Sequence, residues 1–199
     1  MARTVSAMLP LGTTAPDFRL PDPALRITAL RDLPTAPALL VAFLCNHCPY
    51  VKHIRPVFAR RAAEWQARGV QVVAIASNDA VAYPEDGPAA MAAEITAAGY
   101  TFPYLFDADQ AVAKAYHAAC TPDFFLFDAQ RKLAYRGRFC ASRPKQEPAV
   151  PVTGDDLAAA VDAVLAGRPA PTEQRPSLGC NIKWKPGNEP TYAAGLIVS

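Results

Sequence analysis

The sequence has no apolar stretch long enough to cross a bilayer. Its longest, Ala38 to Cys45, falls far below the roughly 18 residues that a spanning helix needs. The N-terminal MARTVSAMLPLG carries an early arginine but no continuous apolar segment and no small-residue cleavage pattern, so it does not read as a secretory leader. A surplus of one charge is missing as well: twenty Lys and Arg stand against eighteen Asp and Glu, a net of +2. That balance offers little to a nucleic acid or an anionic membrane surface. Cysteine is sparse. Five in 199 residues, an odd number, do not make the disulfide scaffold of a small secreted domain. The expectation is a cytoplasmic protein, with neither nucleic acid nor membrane as partner, whose cysteines are catalytic, metal-binding or simply buried.

What is present suits a single folded core. The chain is 51% hydrophobic and 19% charged, inside the globular range and outside the disordered one. Ala38 to Leu44 is a continuous apolar run that predicts a strand buried on both faces. From about His47 to Arg68, Val51, Ile54, Phe58, Ala62 and Trp65 recur at spacings of three and four. They mark the buried stripe of a helix that Gly69 ends and Pro56 kinks. Val70 to Ala76 predicts a second buried strand and Pro88 to Ala98 a second helix. Thr101 to Phe106 predicts a strand that Pro103 confines to an edge, and Asp109 caps a short helix, Gln110 to Ala118. Asp123 to Phe127 and Leu133 to Phe139 read as a hairpin. Thr153-Gly154-Asp155-Asp156 reads as a capping box opening a last helix to Ala166. A further small hairpin is expected within Thr13 to Leu33. Strands alternating with helices imply an α/β fold, a central sheet covered by helices on both faces. Residues 1–167 are expected to form one domain, and 168–199, proline-rich and without period, a tail packed on it.

Cys45-Asn46-His47-Cys48 falls where the first buried strand meets the first long helix. Two cysteines at this spacing close a small ring within one helical turn, and a helix N-terminus favours thiolate over thiol. Open α/β sheets place their sites at such strand ends. Cys45 is therefore expected to be the exposed nucleophile of a thiol–disulfide exchange, and Cys48 the buried resolving thiol. His47 is expected to stabilise the Cys45 thiolate and make the couple more oxidising than a proline there would. Pro49 is expected fourth in the helix, where it would leave the Cys45 carbonyl unpaired.

Gly12-x-x-Ala15-Pro16-Asp17-Phe18-x-Leu20, the C-x-x-C and Thr121-Pro122 ahead of DFFLFD resemble the thioredoxin-fold redoxins. CNHCPYVKHI, YPEDGP, CTPDFFLFD and GCNIKWKPGNEP resemble their peroxiredoxin-like, AhpC/TSA-type members, over nearly the whole chain. The resemblance implies a thioredoxin-like fold with a mixed central sheet, and Pro122, after Thr121, as a cis-proline facing the C-x-x-C. It implies no cofactor. The partners it implies are a protein disulfide or small thiol and an electron donor of thioredoxin or glutathione type. Two family features are absent: the aromatic residue before the motif is Leu44, and the strand from Ala38 to Leu44 has no buried acid. Peroxiredoxins also place a Thr or Ser three residues before the reactive cysteine and a Pro seven before it. Here those positions hold Ala42 and Ala38, so exchange is favoured over a thiol peroxidase or antioxidant. A third reading is a metal-binding module using Cys45, His47 and Cys48, although the second ligand pair of a structural zinc site is missing.

Cys120 and Cys180 are candidates for additional redox thiols, with simple burial as the alternative for each. Trp184 is a candidate for the missing aromatic cover. Cys140 has no expected role, His53 and His117 read as solvated or packed, and the turn at Pro84 reads as solvated.

Overall fold

The computed structural model describes residues 3–198. A five-stranded mixed sheet lies at its centre. Strands β4 (Ala38–Phe43), β5 (Val70–Ala76) and β6 (Tyr104–Phe106) run parallel, in the order β6-β5-β4. The antiparallel β8 (Asp123–Asp128) and β9 (Leu133–Gly137) complete the order β6-β5-β4-β8-β9. All six residues of β4 are buried, because alternate side chains of this central strand enter different cores. Ala38, Leu40 and Ala42 join one cluster, with the buried stripes of α1 (Pro49–Ala67) and α4 (Asp155–Leu165) and with Met91 of α2 (Pro88–Ala98). Leu39, Val41 and Phe43 join the other, with Val112 and Ala113 of α3 (Ala111–Ala115). Phe18 and Leu20 bring the hairpin of β2 (Arg19–Pro21) and β3 (Ile27–Ala29) to that second face.

A second sheet has the order β11-β1-β10-β7. In it β1 (Arg3–Val5) lies between β11 (Ile197–Val198) and β10 (Leu178–Asn181), and β10 pairs antiparallel with β7 (Cys120–Thr121). Residues 178–181 of the tail are thus held between the start of the chain and the segment that leads into β8.

Local departures from the expected elements have physical causes. β6 begins only after Pro103, which cannot donate to a ladder. Helix α1 passes through Pro56, which lies on its exposed side. The capping box at Thr153 does not form: Gly154 is the N-cap, with φ of +72°, and a Cβ there would stand 2.4 Å from the Phe139 ring. Gly179 is needed for a different reason. A Cβ on it would lie 2.0 Å from the Thr121 carbonyl oxygen.

Two outcomes follow for stability. Gly179→Ala should force β10 away from Thr121 and lower stability by about 1–3 kcal/mol, the usual cost of overpacking, read from urea midpoints. The second concerns Asp123, which is fully buried. Burial pushes its carboxyl up to about 7, against the opposing pull of hydrogen bonds from Ser6, Ser177 and the Phe124 N–H. Between its ordinary value of 3.8 and about 7 the folded chain holds a proton that the unfolded chain has lost. Stability should therefore fall as pH rises through that window, by an amount of order 4 kcal/mol. Asp123→Asn should flatten that slope in denaturation curves taken across it.

Candidate active site

The C-x-x-C leaves the end of β4 and turns into α1. Pro49 marks where the helix starts: its fixed φ and missing N–H suit the first helical position, where that N–H has no partner to lose. Cys48 is therefore the N-cap, extended at φ −64° and ψ 124°, and its carbonyl accepts the Lys52 N–H at 3.0 Å. This corrects the expected helix start at His47. It moves the unpaired N–H groups of the first turn from Cys45 to Cys48.

The expected exposure of Cys45 is corrected as well. Leu44 and Cys45 continue the buried strand into the first core cluster, and Cys45 is only 1% exposed. Its Sγ lies 3.0 Å from Thr121 Oγ1. Cys48 is fully buried; its Sγ lies 3.2 Å from the Thr121 carbonyl oxygen and 2.7 Å from Cys180 Sγ. The Thr121–Pro122 peptide is cis. Cys180 stands opposite Thr121 in the β7–β10 register, which is how the tail reaches the motif. Cys45, Cys48, Thr121 and Cys180 thus form one group. Cys120, opposite Asn181, is apart from it, with its sulfur 3.9 Å from the Pro122 carbonyl.

The three grouped sulfurs share protons unequally. Burial alone would raise the Cys48 thiol. Hydrogen bonds from the Cys180 and Cys45 thiols and from the Val51 and Cys180 N–H groups outweigh it, and Cys48 sits well below the ordinary thiol range. Cys45 is pushed up by its hydrogen bond to Cys48, by burial and by the charges of Cys48 and Asp86; the Thr121 hydroxyl pulls it down. Cys180 is pushed up mainly by Cys48 and then by burial. Cys120 is raised chiefly by burial.

The turn at Pro84 is not solvated throughout. Asp86 is fully buried, and its Oδ1 accepts the N–H groups of Asn46 at 2.7 Å and His47 at 3.2 Å. Its Oδ2 meets His47 Nδ1 at 2.5 Å and accepts from Asn78 Nδ2 at 2.7 Å. Asn46 also donates to the Glu85 carbonyl and accepts the Tyr104 hydroxyl. The motif is thereby fastened to a turn about 40 residues away in sequence, a pairing that no local spacing announces. The aromatic cover is also not Trp184, which packs against the cluster on the opposite face of the sheet. Tyr83 stacks on His47 instead, with ring centroids 5.7 Å apart, and Lys183 Nζ lies 5.7 Å from the Tyr83 ring.

Cys45, His47 and Asp86 present three donor atoms within 4.8 Å of one another. Each Asp86 oxygen already takes two hydrogen bonds, however, and Cys48, the third ligand expected for a metal, turns to Cys180 instead. The set reads as a hydrogen-bonded network more than as an ion cage. Among the described residues no helix is long and apolar enough to cross a membrane.

A mixed sheet with helices on both faces, carrying a C-x-x-C against a cis-proline, defines a thioredoxin-like redoxin. The AhpC/TSA family profile matches residues 11–136, and the chain belongs to that family. A hypothetical protein of Sinorhizobium meliloti is 53% identical, with a TM-score of 0.90 over 92% of this chain and 100% of its own. An uncharacterized conserved protein of Geobacillus kaustophilus is 48% identical, with a TM-score of 0.90 over 94% of this chain and 98% of its own. A Chlorobium tepidum protein assigned as the thiol:disulfide interchange protein DsbE is 25% identical, with a TM-score of 0.54 over 64% of this chain and 84% of its own. No curated protein matches the sequence.

Two substitutions should move Cys45 in opposite directions. Thr121→Val removes the one contact that favours its thiolate and should slow its alkylation at fixed pH by roughly tenfold, the worth of one hydrogen bond to a charged group. Asp86→Asn removes a nearby negative charge and should shift the pH profile of that alkylation downward. Site-resolved mass spectrometry after iodoacetamide pulses reads both.

Proposed function

We propose that the chain carries out thiol–disulfide exchange through the Cys45/Cys48 couple. The observation that supports this reading most directly is that both sulfurs meet one residue: Cys45 Sγ at the Thr121 hydroxyl and Cys48 Sγ at the Thr121 carbonyl. Cys48 attacks, since the N–H groups of the helix start bear on it; this reverses the order expected from the motif alone. The substrate S–S bond breaks as a mixed disulfide forms on Cys48, and a neighbouring thiol then displaces the substrate. Two protein thiols are oxidised and one substrate disulfide is reduced to two thiols. His47, fixed by Asp86, lies within 4.8 Å of Cys45 and sets its imidazole beside that thiol.

Burial of the sulfurs favours a small disulfide or thiol over a flat protein surface. A small pocket lined by Tyr50, His53, Pro122, Arg143 and Leu178, with none of the three grouped sulfurs in its wall, lies beside the Thr121–Gly179 contact. Arg143 is half-buried there, its Nη1 held by the carbonyls of Cys140 and Ser142. Its charge suits the carboxylates of a glutathione-type thiol, as substrate or electron donor, in a reducing cytoplasm. A second reading, thiol peroxidase, draws on one observation: the Thr121 hydroxyl beside Cys45 is a hydrogen-bond partner for a bound peroxide that Ala42 does not offer.

In glutathione redox buffers the protein should show a reversible two-electron transition between about −270 and −180 mV, and His47→Pro should lower that potential. Cys48→Ser should lose glutathione-disulfide reduction by several orders of magnitude. Retained activity in that variant would remove Cys48 as the attacking sulfur. Faster oxidation of the reduced protein by hydrogen peroxide than by glutathione disulfide would move the assignment to the peroxidase.

A further inference from the structure

The C-terminal tail supplies a sulfur that the C-x-x-C does not need. Gly179 lets β10 lie against the Thr121 carbonyl, and the register then sets Cys180 opposite Thr121. The result is a Cys48–Cys180 sulfur separation of 2.7 Å, while Cys45 is engaged with the Thr121 hydroxyl. A disulfide bond is about 2.05 Å long, so closing this pair needs a movement of under an ångström. We propose that Cys180 is a third redox thiol of the site, and that oxidation closes a Cys48–Cys180 disulfide that ties the tail strand to the start of α1.

The inference rests on the exchange reading above and names the resolving partner. The Cys48 thiolate attacks a disulfide R–S–S–R′; that bond breaks, R′S⁻ leaves and takes a proton, and Cys48 carries R as a mixed disulfide. Cys180 then gives up its proton and attacks Cys48 Sγ. The Cys48–R bond breaks, the Cys48–Cys180 bond forms, and RS⁻ leaves as RSH. Two electrons pass from Cys48 and Cys180 to the substrate; the Cys180 proton ends on RSH, and R′S⁻ takes from solvent the proton that Cys48 released on ionising. Cys45 remains a thiol. By attacking Cys48 Sγ it can form a Cys45–Cys48 disulfide and release Cys180 as a thiol, a step with no net electron change. The tail is thus covalently held or released according to which neighbour Cys48 is bonded to.

The test uses the full chain, oxidised with glutathione disulfide, quenched in acid and digested without reduction for mass spectrometry. The expected first cross-link is Cys48–Cys180, and Cys45→Ser should still form it, more slowly for loss of the Cys45 hydrogen bond to Cys48. In Cys180→Ser the glutathione adduct on Cys48 should persist at least tenfold longer than in the wild type, and the cross-link should become Cys45–Cys48. A wild type that forms only Cys45–Cys48, with adduct decay unchanged in Cys180→Ser, would overturn the role of Cys180 while leaving the exchange reading in place. Absence of any reversible adduct or cross-link at all three sulfurs would overturn both.

Discussion

Thr121 is where the strand pairing of the tail and the chemistry of the C-x-x-C meet. Its carbonyl lies against Cys48, its hydroxyl touches Cys45, and the backbone of Gly179 packs against it from the tail. Because Thr121 lies at the end of β7 and leads through Pro122 into β8, its position is set by two sheets at once. A residue so constrained holds two sulfurs at defined distances without itself being reactive. Disturbance of the tail strand is therefore disturbance of the site.

Which cysteine meets the helix start turns on where the helix begins. Proline is favoured at the first helical position, where its missing N–H costs nothing, and Pro49 there places Cys48 at the N-cap and leaves Cys45 in the extended segment before it. Partial positive charge at a helix start is confined to the first turn. A shift of two residues in the helix start, from His47 to Pro49, is enough to hand it from one cysteine to the other. The neighbouring sulfurs of Cys45 and Cys180 and the Val51 N–H then pull the Cys48 thiol down, against the burial that would raise it.

Asp86 plays the complementary part on the other side of the motif. A buried carboxylate is tolerated only when its lone pairs are filled, and here the donors are the backbone and imidazole of the motif together with Asn78. The loop between β4 and α1 is thereby held to the turn before α2. His47 is fixed in orientation, and a negative charge is kept near Cys45, where it opposes ionisation of that thiol.

The apolar run from Ala38, the periodic stripe from Val51 to Trp65 and the hairpin around Asp128 were legible as sequence because each follows from local spacing of apolar side chains. The family motifs pointed to the thioredoxin-like arrangement and to the Cys45–Cys48 pair. Proximity across the chain was not legible. Asp86 reads as one polar residue in a turn, Cys180 as a cysteine in an aperiodic tail, and Trp184 as a free aromatic. Only strand pairing and core packing put the first under His47, the second against Cys48 and the third on the far face of the sheet. The amino-acid sequence by itself determined the elements and the presence of a dithiol, since these depend on near neighbours. The tertiary structure decided which cysteine stands at the helix start, which thiol faces it and what fixes the histidine, because those depend on groups brought together from about 40 to 130 residues apart.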